Sequence, residues 1–164
     1  MKKRRLAILA VLAVAIAAAA ALVTRSAHAS AQAADTYVFI VVPQGRTAFV
    51  DNPPKAAKGK FDPRPGDAFT SRGRIFNAAG SLEVGRVSEY CVETVKDPIT
   101  FECSISVIIN DGEMVAEGAI NPLALPYTTP VVGGTGTYFG AEGVLQVTTQ
   151  SQTQELWTLT VRRG

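Results

Sequence analysis

Beyond residue 33, apolar and polar side chains alternate in short runs, which is the pattern of half-buried β-strands and not of helices. The clearest run is Thr100–Ile109, in which every second residue is apolar and most of the others are Thr, Glu or Ser. Its apolar positions are Phe101, Cys103, Ile105, Val107 and Ile109. Successive side chains of a strand point to opposite faces, so this set is expected to face the core.

Runs of this kind, separated by Gly, Pro, Asp and Asn, predict an all-β chain of eight strands. The predicted strands are Thr36–Val42, Thr47–Val50, Ala68–Phe76, Leu82–Val95, Thr100–Ile109, Met114–Ile120, Val144–Thr149 and Glu155–Arg163. Asp51–Gly66 and the segment leading to Pro130 are interpreted as proline-bearing loops, and Val131–Gly143 as a glycine-rich one. Asn110-Asp111-Gly112 is a hairpin signal. Eight strands joined mostly by hairpins favour a closed antiparallel barrel or a sandwich.

The two longest strands can be paired from the turn that joins them. A tight turn at Asp97-Pro98 allows a register in which Cys91 lies opposite Cys103 and Glu89 opposite Ile105. Glu89, Cys91 and Glu93 then share the apolar face. A slip of one residue would send the side chains to the other face.

The first 33 residues are predicted to be a secretory signal peptide, followed by one domain over 34–164. Four basic residues open the chain, Leu6–Val23 is an apolar run of 18 residues, and two A-x-A motifs follow at residues 27–29 and 31–33. Signal peptidase accepts such motifs, which places the mature N-terminus between Ser30 and Ala34. The alternative is an uncleaved membrane anchor, because 18 apolar residues can just span a bilayer. In either case the domain lies outside the cytoplasm, secreted or periplasmic.

Charge and composition narrow the function classes. The leader holds five of the 16 basic residues and none of the 14 acidic ones, which leaves the domain with a net charge of about −3. That charge argues against a nucleic-acid-binding protein. The single histidine, His28, lies in the leader, so a histidine-dependent metal site or Ser-His triad is excluded from the domain.

Two cysteines are too few for a zinc site or an iron–sulfur cluster alone. Export and the opposed register predict a disulfide between Cys91 and Cys103. The alternative is a pair of buried thiols that act as small apolar side chains.

The glycine-rich segment and its surroundings resemble a known superfamily. Val84-Gly85-Arg86, Asn121-Pro122 and the Gly-Gly-x-Gly…Gly-Ala-x-Gly stretch within Pro130–Gly143 are similar to the allene oxide cyclase and dirigent barrels, over about Asp67–Val161. The Gly66-Asp67…Phe69-Thr70 entry is similar to the cyclase branch. The resemblance implies an eight-stranded barrel of lipocalin-like shape with an apolar cavity, commonly assembled as a trimer.

The same resemblance implies two chemistries, neither of which needs a metal or another cofactor. The cyclase branch converts an unsaturated fatty-acid epoxide to a cyclopentenone, and the dirigent branch steers the coupling of phenoxy radicals. Ser71 stands where the cyclase branch has an Asn that holds a pocket water, and Cys91 matches its pocket Cys. Aliphatic residues such as Val41 occupy the place of its early-strand Glu, and Glu89 falls where both branches usually have Gly.

The candidate catalytic residues are Glu89 and Ser71. A carboxyl group on the apolar face is desolvated, which raises its pKa and suits it to act as an acid or base. The alternative is that Glu89 lies at a wet rim of the barrel. The expected walls of a ligand cavity, or of a filled core, are Phe69, Cys91, Phe101, Ile105 and Trp157.

Three functions therefore stay open for the predicted barrel. The first is a secreted isomerase or cyclase, or a dirigent-like stereochemical guide, that acts on an apolar small molecule. The second is a non-catalytic protein that binds such a ligand, and the third is a structural secreted barrel. No metal, cofactor or nucleic acid is expected as a partner. No membrane association is expected after signal cleavage. The resemblance implies a homotrimer.

Overall fold

The computed structural model describes residues 33–50, 63–121 and 124–163, and the predicted signal peptide over 1–32 lies outside them. The described chain forms eight strands that close into an antiparallel barrel, which confirms the predicted fold class. The strands are β1 Asp35–Val50, β2 Ala68–Asn77, β3 Glu83–Lys96, β4 Ile99–Ile109, β5 Gly112–Ile120, β6 Tyr127–Gly134, β7 Glu142–Ser151 and β8 Gln154–Arg162. A single 3₁₀ turn, Gly136–Tyr138, lies between β6 and β7.

Each strand pairs with its neighbours in chain order, and β8 returns to β1. The closing ladder pairs Phe39 with Trp157 and Val41 with Glu155. Among the described strands, each one therefore has a neighbour on both sides. Within the described ranges, no helix has the length and apolar character that a membrane crossing requires.

The ladder between β3 and β4 has the predicted register. Cys91 lies opposite Cys103 and Glu89 opposite Ile105. The two cysteines form a disulfide across a Cα–Cα distance of 4.1 Å, so the prediction of a bridge is confirmed and the alternative of two thiols is wrong. Cys91, Glu93 and Cys103 are buried on the inner face, as the alternation predicted.

The first two predicted strands are wrong as separate elements, because β1 runs unbroken from Asp35 to Val50. Its ladder to β2 changes register twice between Pro43 and Ala48. Gly45 has a φ of +84° at this place, a conformation open to glycine. The break in alternation that we interpreted as a turn is therefore a bulge within one strand.

The interpretation of the segment around Pro130 as a loop is also wrong, since β6 occupies Tyr127–Gly134. Its ladder to β5 comprises the pairs from Met114↔Gly134 to Ala116↔Val131, with a shift in register between them. Pro130 lies just past the last of these pairs and is paired with Val144 of β7 on its other side.

The inner faces of the strands form one hydrophobic core. Its largest fully buried side chains include Trp157, Phe101, Ile75, Ile105, Met114 and Leu145. Phe69 and Phe101 pack edge to face with their ring centres 5.3 Å apart. Part of the barrel interior is therefore filled, and the remaining space lies beside β1, β2, β3 and β8.

Candidate functional site

A cavity of about 160 Å³ lies against β1, β2, β3 and β8. Its apolar wall includes Val41, Phe69, Val87 and Trp157, and its polar lining includes Ser71, Glu89 and Glu155. The prediction placed Glu89 and Ser71 at one site, and the ladder between β2 and β3 pairs them directly. Among the described residues, no group of three or more His, Cys, Asp or Glu side chains converges as a metal site would require.

Glu89 is held by a hydrogen bond from the neighbouring strand. The Ser71 hydroxyl Oγ donates to Glu89 Oε2 at 2.5 Å. Glu89 is partly buried, between Val87 and Cys91 on the inner face of β3. The alternation that buries these two neighbours also directs the carboxyl group inward.

Glu155 brings a second carboxyl group to the cavity from β8. It lies two residues before Trp157 and therefore on the same face of the strand. The indole Nε1 of Trp157 donates a hydrogen bond to Glu155 Oε2 at 2.8 Å. Trp157 is thus both a wall of the cavity and the group that orients this carboxylate.

Burial is the main cause that raises the pKa of Glu89 above its ordinary value. The hydrogen bond from Ser71 lowers this pKa, the negative charge of Glu155 raises it, and a hydrogen bond with Tyr127 lowers it, with a net increase. Burial also raises the pKa of Glu155, against the effect of the Trp157 hydrogen bond. The site therefore favours protonated carboxyl groups more than water does.

Tyr127, on β6, is the third polar group beside Glu89. Burial raises the pKa of its phenol far above the usual range, and the charges of Glu89 and Glu155 raise it further. The phenol therefore stays protonated and serves as a hydrogen-bond donor to Glu89.

These shifts predict that the protein loses stability as the pH rises. The folded-state pKa of Glu89 lies above its ordinary value of 4.5, so the folded state binds more protons than the unfolded state between the two values. The free energy of unfolding should fall across that window by about 1.4 kcal/mol for each whole unit between the two pKa values. Glu89→Gln should remove this loss and be more stable than the wild type at neutral pH.

The measurement is urea denaturation of both proteins from pH 4 to pH 8, with the difference between their unfolding free energies plotted against pH. A difference that does not change with pH would contradict a desolvated Glu89.

The structure separates the predicted ligand-binding residues into two groups. Phe69 and Trp157 line the cavity with Glu89 and Ser71. Cys91, also predicted as a cavity wall, is not among the residues that line this cavity, and its sulfur is bonded to Cys103. Phe101 and Ile105 are also absent from the lining because both are fully buried in the packed core.

Two site residues were missed by the sequence reasoning. Glu155 lies two residues before Trp157, which was predicted to be a cavity wall, and that spacing was the signal that could have found it. Tyr127 follows Pro126 in a segment interpreted as a loop, so no inward face was assigned to it.

No family model matches this sequence, and no curated protein matches it. Solved structures with the same fold are found at low identity. A pyocyanin demethylase superposes with a TM-score of 0.65 at 21% identity, over 77% of this chain and 99% of that one. A pterocarpan synthase dirigent protein gives a TM-score of 0.62 at 15% identity, over 79% of this chain and 95% of that one.

A third solved structure is described as a nonspecific heme-binding cyclase that catalyses [4 + 2] cycloaddition during neoabyssomicin biosynthesis. It superposes with a TM-score of 0.59 at 17% identity, over 86% of this chain and 72% of that one. At these identities the likeness concerns the fold. The chain has the barrel fold that dirigent proteins and cyclase-like enzymes share, which is the fold that the resemblance of its glycine-rich segment implied.

Proposed function

We propose that this protein binds a small, largely apolar molecule in the cavity and isomerises or cyclises it by acid–base catalysis. The observation that carries the proposal is the pair of carboxyl groups, Glu89 and Glu155, that line one apolar cavity. Each is held by a defined donor, Ser71 or Trp157. Charged groups are rarely buried in an apolar interior without such support, and buried carboxyl groups of raised pKa concentrate at functional sites.

The proposed mechanism gives the two carboxyl groups different tasks. Glu89, in its ionised form, removes a proton from a carbon atom of the bound molecule while Ser71 and Tyr127 hold the carboxylate in place. Glu155 stays ionised, and its negative charge keeps the pKa of Glu89 high, so the protonated Glu89 can return the proton to a second carbon atom of the same molecule. The proton that Glu89 removes is the one that it returns, so the isomerisation balances without an oxidant.

The size of the cavity limits the part of the substrate that reacts inside it. An apolar cavity of about 150 Å³ accommodates benzene. The cavity here is about 160 Å³, so it takes one ring or a short folded chain of a larger molecule. Holding a flexible chain in a folded arrangement itself lowers the entropic barrier to ring closure.

The structural neighbours support this choice of chemistry, since one is described as a cyclase and another as a dirigent protein. A dirigent-like guide or a non-catalytic carrier would use the same apolar walls of Val41, Phe69 and Trp157. The carboxyl pair favours the enzyme, because a passive cavity gains nothing from two desolvated acids.

The test uses 5-nitrobenzisoxazole, a neutral bicyclic compound whose reacting ring is no larger than the benzene that such a cavity accommodates. A base removes its ring C–H proton, the N–O bond breaks, and a coloured cyanophenolate forms. The protein should accelerate this ring opening, and the rate should saturate as the substrate concentration increases. The rate should also rise with pH, with a midpoint above the ordinary carboxyl pKa of 4.5. Saturable binding without acceleration would support the carrier and contradict the enzyme.

We propose further that the chain is exported and that its mature form begins between Ser30 and Ala34. The Cys91–Cys103 disulfide supports export, because such bonds persist outside the reducing cytoplasm. N-terminal sequencing of the exported protein should find the new terminus, and retention of Met1 in the membrane fraction would contradict cleavage.

We also propose that the protein assembles as a homotrimer through the outer face of β6 and β7. Val132 and Val144 are 50% and 48% exposed there, and Phe139 in the connection between these strands is 80% exposed. Exposed apolar side chains on neighbouring strands are candidates for such an interaction surface. Sedimentation equilibrium measures the mass of the assembly, and a monomer would contradict this part alone.

A further inference from the structure

Three arginines lie on the outer face of the barrel wall whose inner face carries Ser71 and Glu89. Arg72 and Arg74 are on β2 and Arg86 is on β3, where the ladder pairs it with Arg74. All three are exposed. The proposed mechanism uses none of them.

One of the three is already engaged. Arg74 forms an ion pair with Glu83 at 3.4 Å, and its guanidinium lies 5.3 Å from the ring centre of Phe76. Arg72 and Arg86 make no ion pair with any residue in the described ranges. Two positive charges therefore stand uncompensated on this wall.

The arginines border a groove that adjoins the cavity. The groove measures about 670 Å³ and is lined by Arg72, Arg74 and Arg86 among others. It shares the stretch Ser71–Gly73 with the cavity, and Arg72 lines both. The β1–β2 ladder loses its regular register opposite this stretch, between Pro43 and Arg46.

We propose that Arg72, with Arg86 beside it, binds an anionic group on a substrate whose apolar ring occupies the cavity. This inference rests on the proposed function and adds the substrate class, an apolar ring or chain that carries a carboxylate or another anion on a short linker. A guanidinium presents a planar fork of donors that matches a carboxylate, sulfonate or phosphate.

The charges on the two sides of the wall set the orientation of such a molecule. Glu89 and Glu155 line the cavity, so an anionic group is repelled from its interior. Arg72 and Arg86 attract the same group in the groove. The apolar part therefore enters and the anion stays at the boundary, which places the carbon atoms of the ring beside Glu89.

The experiment compares two probes of equal shape, 3-phenylpropanoate and 3-phenylpropanamide, which differ in charge. Trp157 is the only tryptophan of the chain and lines the cavity, so quenching of its fluorescence reports occupancy of the cavity itself. The anion should bind the wild type about fivefold to tenfold more tightly than the amide, in line with one or two charge-assisted hydrogen bonds. Added salt should weaken binding of the anion alone.

Arg72→Gln and Arg86→Gln should each reduce that preference, and the double variant should abolish it without weakening the amide. Arg162→Gln removes one charge at an exposed position of β8 and is the matched control, which should keep the preference. Both substituted arginines are exposed, so the variants are expected to fold.

Equal binding of the two probes by the wild type would overturn this inference and leave the proposed function standing. A loss of preference in Arg162→Gln as large as that in Arg72→Gln would also overturn it, because net charge alone would then be the cause. Failure of both probes to quench Trp157 would contradict the inference and the proposed function together.

Discussion

Glu89→Gln should lower the turnover of 5-nitrobenzisoxazole by about 10²-fold to 10⁴-fold, the range that a positioned general base contributes. The amide keeps the shape of the side chain and accepts a hydrogen bond from Ser71, but it cannot take a proton. Because the substitution removes a desolvated acid, it should not destabilise the barrel. The measurement is kcat at neutral pH, with the fold checked by circular dichroism and the quenching of Trp157.

Two controls sharpen this result. Glu117→Gln makes the same chemical change at an exposed site that hydrogen-bonds Ser104 on the outer wall, and it should leave kcat unchanged. Glu155→Gln removes the negative charge that raises the pKa of Glu89, so the pH–rate profile should move to lower pH. Turnover by Glu89→Gln equal to that of the wild type would exclude Glu89 as the base.

The part of the site on β2 and β3 could be predicted from the sequence because two local signals agree there. The Asp97-Pro98 turn sets the register, and alternation sets the face, so Glu89 and the Cys91–Cys103 pair follow from counting. Ser71 was predicted from the resemblance to the cyclase branch alone, and the next ladder pairs it with Glu89.

The rest of the site depends on pairings between distant strands. Tyr127 reaches Glu89 across the barrel, and no local pattern records that the short run after Pro126 is a strand. β6 is a strand because β5 and β7 flank it, which is tertiary context that overrides its glycine and proline content.

The division of the interior into a filled part and a cavity also could not be predicted. Alternation places Phe69, Phe101, Ile105 and Trp157 inside, but an inward side chain lines either a core or a pocket. Whether a given side chain fills the core or lines a pocket depends on the side-chain volumes that meet across the barrel. The edge-to-face contact of Phe69 and Phe101 fills one part, and Phe69 and Trp157 face the space left over.

One glycine of the glycine-rich segment, Gly143, lies where the backbones of β7 and β8 approach closely. It lies on β7 opposite Val161 of β8. A Cβ atom built on Gly143 would stand 2.0 Å from the backbone oxygen of Thr160 and 2.8 Å from the Cα atom of Val161. Backbone atoms of a paired strand cannot yield as the end of a flexible side chain can.

Gly143→Ala should therefore destabilise the barrel by about 3 kcal/mol, at the upper end of the usual cost of overpacking. The β7–β8 ladder has to separate locally, and that ladder joins Trp157 and Leu159 to the core. Gly133→Ala is the matched control, because a Cβ atom there would meet no atom within 4 Å. Gly133→Ala should alter the free energy of unfolding by less than about 1 kcal/mol. An increase is the expected sign, because alanine reduces the conformational freedom of the unfolded chain. Urea denaturation of both variants measures the effect, and equal midpoints would contradict the close approach of β7 and β8 as the reason for a glycine at residue 143.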